Sequence, residues 1–293
     1  MAETLIYSRV RGDDLSVYNG TGRLLGIQDI SIDSNFGNTP IIHLGYNNSS
    51  SSRIRQTNNS EQYADVSINS LLLNNDPFYN LTGDQPVNFF LLRDKNNINH
   101  NYCLLSGCLN SYNLQITNSQ PAQIDTSFRF FNNAGGIATG QLDSLSRTQL
   151  TGIQGTSYDF LNTGLLISNG NTITLTLDEY NTERVQNITL GFNCNRVPIY
   201  AIGNKTPIRI DLIPPIEVSF NCSFEASKLF TGIELRKFPN NKKEQNIYLV
   251  IKDYSGSQNI FDYSLTNMTL ISESNSVGTD GNLIINRNYI GHR

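Results

Sequence analysis

Apolar and polar residues alternate along much of this chain. Val218, Phe220, Cys222 and Phe224 alternate with Ser219, Asn221, Ser223 and Glu225, and Ile188, Leu190 and Phe192 alternate with Asn187, Thr189, Gly191 and Asn193. The same rhythm places Ile208, Ile210 and Leu212 between Arg209, Asp211 and Ile213, and Ala64, Val66 and Ile68 between Asp65, Ser67 and Asn69. Successive side chains of a strand point to opposite faces, so this period of two predicts strands with one apolar and one polar face. Asn-Gly, Gly-Asn and Pro positions break the runs at hairpin spacing. No long stretch carries a helical period. Short helices near Ser70–Asn74 and Ala226–Leu229 are the most that the pattern predicts, and the fold class is all-β.

The pattern also repeats itself. Gln28–Asn35 followed by Thr39–Gly45 resembles Gln186–Asn193 followed by Val197–Gly203, at an offset of 158 residues without a gap and with six identities over 18 positions. Further matches keep their order: Leu81–Gly83 with Phe230–Gly232, Phe89–Asp94 with Tyr248–Asp253, Asn19–Gly20 with Asn169–Gly170, and Phe131–Asn132 with Ile285–Asn286. Collinear matches in both halves predict a duplicated domain. The expected organisation is an N-terminal arm over 1–14, a first β-domain over 15–131, a Gly-rich linker over 132–164 with room for a short helical piece, and a second β-domain over 165–293. Pro40 and Pro198 fall at the same place in the repeat, each preceding Ile at the entry to an apolar strand, where proline is tolerated. One asymmetry stands out. The first half inserts a polar loop, Tyr46–Ser60, where the second half crosses with Asn204–Thr206.

Composition narrows the function. Hydrophobic residues are 38% and charged residues 16%, with 14 Tyr and 14 Phe to build cores, so the chain is polar yet not of the charge-rich disordered type. A net charge of −4 argues against a nucleic-acid binder, whose affinity would come from neutralised phosphates. The Met1–Thr4 start has neither a basic nor an apolar leader region, and no apolar run reaches 18 residues, so neither secretion nor a membrane span is expected. Cys103, Cys108, Cys194 and Cys222 form no CxxC pair and are expected to be buried thiols. With 39 Asn, sequons such as Asn80–Thr82 arise by chance.

Catalytic chemistry finds no foothold. His43, His100 and His292 lie far apart, no nucleophile elbow accompanies them, and no HExxH or acidic calcium loop is present. Gly20–Gly22 reads as a turn rather than a phosphate loop, and the absence of Trp argues against a sugar-stacking site. No catalytic, cofactor or metal residue is expected, and the chain is read as a non-enzyme.

The segment Arg196–Lys205, with Pro207 and then Pro214–Phe220, resembles tail structural proteins of bacteriophages, tube-forming ones in particular. The resembling pattern is a strand, an Arg-x-Pro-Ile-Tyr-x-x-Gly hairpin and a second amphipathic strand. It covers about 30 residues of the second half and the first half only weakly. Some tail-tube proteins carry two tube domains per chain and form trimeric rings with pseudo-sixfold symmetry. The resemblance therefore implies two similar β-sandwich or partial-barrel tube domains in tandem, with long hairpins joining a barrel between subunits. It implies a virion protein made in a host cytoplasm. Its partners would be itself in stacked rings, other tail proteins (baseplate, terminator, a sheath in a contractile tail) and genomic DNA in transit without specific binding, with no membrane partner.

On this reading the hairpins through Gln28–Asn69 and Gln186–Glu225 put their polar faces on a channel. The candidate lumen residues are Ser31, Asp33, Asn35, Asp65, Ser67, Asn69, Thr189, Asn193, Ser219, Asn221 and Ser223. Such a lining has few cations, so passing DNA would not stick. The long loop, with Asn48, Arg53 and Arg55, is the candidate inter-ring contact. A single-ring baseplate hub or tube initiator of the same fold, and a β-rich receptor-binding or decoration protein, remain open beside the tube subunit.

Overall fold

A computed structural model describes residues 15–19, 22–35, 39–41, 55–57, 63–73, 76–82, 87–94, 101–132, 136–137, 168–177, 180–182, 184–202, 207–225, 244–253, 255–277 and 283–293. Among these residues the chain is all-β, with no helix. The first half supplies β1 (Leu15–Asn19), β2 (Gly22–Arg23), β3 (Ile27–Asn35), β4 (Thr39–Ile41), β5 (Arg55–Thr57), β6 (Tyr63–Leu71), β7 (Val87–Asp94), β8 (Asn101–Thr117), β9 (Gln123–Asn132) and β10 (Gly136–Ile137). The second half supplies β11 (Ser168–Leu177), β12 (Tyr180–Thr182), β13 (Val185–Asn193), β14 (Arg196–Ile199), β15 (Arg209–Leu212), β16 (Glu217–Glu225), β17 (Glu244–Asp253), β18 (Asn259–Val277) and β19 (Leu283–His292).

Period two translates directly into burial. Ala64, Val66 and Ile68 of β6, Ile188, Leu190 and Phe192 of β13, and Val218, Phe220, Cys222 and Phe224 of β16 are all buried, while the residues between them are not. Each buried Val, Leu, Ile or Phe among them contributes roughly 1.5–3 kcal/mol on leaving water. The buried residues form one cluster that draws on both halves.

Fifteen strands join one antiparallel sheet. The first-half strands lie in the order β3-β6-β9-β8-β7-β1-β2, and the second-half strands in the order β13-β16-β19-β18-β17-β11-β12. The two series meet where β8 pairs β13. Two separate ribbons, β4 with β5 and β14 with β15, extend the hairpins β3–β6 and β13–β16. Pro40 lies opposite Gln56 in the first ribbon and Pro198 opposite Ile210 in the second.

Strand β8 is long enough to serve two neighbours on one side. Its first part pairs β7 between Asn101 and Gly107, and its last residues, Ser111–Thr117, pair β13. On its other side it pairs β9. Strand β18 is built alike: its first part pairs β17, and its last part pairs β19 on the other side.

Several expectations need correction. Ser70–Leu71 close β6 rather than starting a helix: Leu71 lies opposite Gln123 of β9, and the Ser70 hydroxyl donates to the Ile124 carbonyl at 3.4 Å. The ladder to β9 outweighs the local leucine run. Arg55–Thr57 lie inside the expected polar loop, yet they form the return strand of the first ribbon, opposite Thr39–Ile41. Asn132 ends β9, and Gly136–Ile137 pair Asn101–Tyr102, so the start of the expected linker belongs to the sheet. In β15 the expected apolar face is only partly covered: Ile210 and Leu212 are half-buried, Leu212 packs against the core, and Ile208 is 60% exposed. Ala226–Leu229, the arm over 1–14 and most of the linker lie outside the described residues.

Candidate functional site

Residues directly opposite one another in an antiparallel pair share a face. The registers therefore trace one polar surface across β3, β6, β9, β8, β13, β16, β19 and the end of β18. One row runs Ser31, Ser67, Ser127, Ser111, Asn193. Another runs Asp29, Asn69, Asp125, Asn113, Gly191, Ser219. A third runs Gln123, Gln115, Thr189, Asn221, Asn288, Ser272. Asp33 stands opposite Asp65, Asn35 opposite Tyr63, and Ser223 opposite Asn187.

All the lumen candidates from Ser31 to Ser223 thus fall on this one face, turned away from the buried cluster. Ser31, Asp33, Asn35, Ser67, Asn193 and Asn221 are exposed, and Asp65, Asn69, Thr189, Ser219 and Ser223 are half-buried by their neighbours. Pattern reading missed the middle of the surface, which β8 and β9 supply. Of the inter-ring candidates, Arg55 starts β5, while Asn48 and Arg53 lie outside the described residues.

The face is held by short polar bonds. The Asn69 amide donates to Asp125 Oδ1 at 2.5 Å, the Ser111 and Ser127 hydroxyls meet at 2.8 Å, and the Ser219 hydroxyl donates to the Gly191 carbonyl at 3.2 Å. Its carboxylates include Asp29, Asp33, Asp65, Asp125, Glu217 and Glu225. Among the described residues, the guanidiniums on it or at its margin are Arg129 and Arg184. Arg129 is clamped by both oxygens of Asp65 at 2.7 and 2.9 Å, and Arg184 lies 3.6 Å from Glu225. The surface is therefore broad, wet and weakly acidic, with its positive groups already matched.

Behind the sheet a buried polar knot ties the halves together. The turn at Asp76–Thr82 is pinned by Asp76, whose Oδ1 accepts from the backbone N–H groups of Phe78 (2.8 Å) and Tyr79 (3.1 Å). Its Oδ2 accepts from the phenols of Tyr112 (2.5 Å) and Tyr263 (2.6 Å), which stand 3.0 Å from each other. Burial pushes both phenol pKa values well above 10, and the negative Asp76 beside them adds to the shift. Tyr79 packs edge-on against Tyr263 at 4.9 Å, and Tyr112 stacks on Phe192 at 4.9 Å. The Arg293 guanidinium lies 4.4 Å from the centre of the Tyr79 ring and donates to the Tyr79 carbonyl at 3.0 Å. Arg196 reaches the carbonyls of Leu109 and Thr82. These residues come from both halves, so the knot fastens one half to the other.

Cys108, Cys194 and Cys222 are buried thiols. Burial pushes the Cys222 pKa up to about 12, against a smaller pull from Arg287. Among the described residues no His, Cys, Asp and Glu cluster is arranged to hold a metal, and no helix is long and apolar enough to cross a membrane. No protein-family model matches the chain, and no curated protein matches it either.

Proposed function

We propose that this chain is a self-assembling structural protein of a bacteriophage tail, a two-domain subunit whose rings stack into the tube that conducts DNA. The observation that carries the reading is the continuous polar face, spread over eight adjacent strands, poor in unmatched cations and backed by one apolar core. An ordinary solvated surface has no need of such a continuous sheet. A conduit for a polyanion does, because unmatched Lys or Arg would hold the phosphates and slow their passage.

The tandem duplication belongs to the same proposal, and three observations support it. The two seven-strand series run in the same order. Both series carry a bulge at matching places: Gln28 between the pairs Ile27–Ser70 and Asp29–Asn69, and Gln186 between Val185–Phe224 and Asn187–Ser223. A second bulge recurs at Asn110 of β8 and Ile271 of β18. Bulges are specific local features, and two coincidences of this kind favour common descent. Each half then supplies four strands to the polar face, and three chains would close a ring of six similar units.

Exposed apolar side chains support assembly as well. Val197, Ile202, Ile208 and Ile213 project from or beside the second ribbon, and a solvent-facing group of this kind commonly marks a contact surface. The subunit works by shape and electrostatics and carries out no chemical step. Electron microscopy of the purified protein tests the proposal. Hollow tubes are expected. Single rings would move the reading to a hub or tube initiator, and dispersed monomers at every concentration would overturn it.

A further inference from the structure

The junction between the halves joins β8 to β13, two strands whose counterparts in the other series are β18 and β3. In β8, the first part is flanked by β7, and Ser111–Thr117 are flanked by β13, the first strand of the second series. In β18, the first part is flanked by β17 up to Thr269. Beyond it, Ser272–Val277 are paired on one side by β19, and among the described residues no strand lies on the other. At the opposite end of the sheet, β3 is paired by β6 on one side, with no described strand on the other. Strand β3 holds the place in its series that β13 holds in the second. Among the described residues the sheet therefore presents two halves of a contact that the chain already makes once within itself.

The side chains fit this vacancy. Ile188 and Leu190 of β13 are fully buried where β8 covers them, whereas Ile30 and Ile32 of β3 are only partly covered. On β18, Ile271 and Val277 are 59% and 70% exposed. Open, partly apolar edges of this kind are ordinarily protected by charge, bulges or cover, and here the β8–β13 pairing displays the cover that fits.

We infer that the end of β18 in one chain pairs antiparallel with β3 of a second copy of this chain, in the register that β8 and β13 display. The register carries over through the matching bulges. Within the chain Ile116 faces Ile188, Gln115 faces Thr189, Leu114 faces Leu190 and Asn113 faces Gly191. Between chains Val277 then faces Ile30, Ser276 faces Ser31, Asn275 faces Ile32 and Ser274 faces Asp33. The apolar pair falls on the buried side, and the serines and Asp33 continue the polar face without a break. The contact is head-to-tail, so pairing repeats from chain to chain rather than stopping at a dimer, and it gives a ring where the rotation between chains closes. This inference rests on the assembly reading above and adds to it the partner surface and its register.

The test uses cysteine substitutions in the full chain. Ser31 and Ser276 are both exposed, so Ser31→Cys and Ser276→Cys leave the fold intact, which circular dichroism checks. Under mild oxidation, a mixture of the two single variants should yield a covalent dimer, and neither variant alone should. The double variant should give a ladder of covalent multimers. Pairing Ser31→Cys with Ser272→Cys, two repeats of the pleat off register, should give none. Val277→Lys should keep the monomer folded and raise the concentration needed for assembly about tenfold or more, because a buried apolar pair is replaced by a charge. Normal assemblies with no Ser31–Ser276 cross-link and no effect of Val277→Lys would overturn this junction while leaving self-assembly standing. Monomers at every concentration would overturn both.

Discussion

At the scale of single residues, stability rests on groups that pattern reading could not pair. Asp76 accepts four hydrogen bonds in a buried site, two of them from phenols that lie far along the chain. Replacing Asp76 with Ala strands those donors. The cost is expected to be about 3 kcal/mol or more, read as a lower urea midpoint, with Asp76→Asn falling between variant and parent. The raised phenol pKa values of Tyr112 and Tyr263 carry a sign. A neutral phenol is favoured in the folded state, so its contribution is complete below pH ~10, the ordinary phenol value, and is lost as the pH rises above that toward the raised folded value. Ultraviolet titration should therefore show a class of tyrosines that resists ionisation until the protein unfolds in alkali. Two tyrosines titrating normally in the folded protein would contradict the knot. With its pKa near 12, the Cys222 thiol should stay unmodified by a thiol reagent at pH 8 and react at once in denaturant.

At the scale of strands, what was legible was whatever period two controls. The alternations at Ala64–Asn69, Ile188–Asn193 and Val218–Glu225 emerge as β6, β13 and β16 with the expected faces. The hairpins β3–β6 and β13–β16 also pair as expected. Strands β8 and β18 were not legible, because each crosses a bulge that shifts its alternation and each changes neighbours midway. Two short matches of the repeat were misleading for a similar reason. Asn19 ends β1, whereas Asn169 lies near the start of β11, and Phe131 lies near the end of β9, whereas Ile285 lies near the start of β19. Such dipeptide echoes carry too little information to hold a register once the loops differ in length. The turn entering β3 was marked only by a glycine. Gly26 has φ +75°, and a Cβ there would sit 2.7 Å from the Leu71 carbonyl oxygen, to which the geometry leaves no room to yield. Gly26→Ala is expected to lower stability by roughly 1–3 kcal/mol in urea unfolding, and a neutral result would contradict the strained turn.

At the scale of the whole molecule, one sheet presents an apolar side to its own core and a polar side outward over both halves. The assignment of that polar side to a channel makes a charge prediction. Asn221→Lys, at an exposed position facing away from the core, should leave folding and assembly within about 0.5 kcal/mol of the parent, and Ser219→Lys, which gives up the bond to the Gly191 carbonyl, should cost about 1 kcal/mol without unfolding the chain. Particles carrying them should deliver DNA more slowly, with a new dependence on salt. Unfolding of the monomer by either change would place these side chains in the core instead. The most direct measurement is a cryo-electron microscopy reconstruction of assemblies formed by the full chain. The account predicts a hollow particle in which Ser67, Thr189 and Asn221 face the central lumen. A particle with that face on its outer wall, or with no lumen at all, would contradict it.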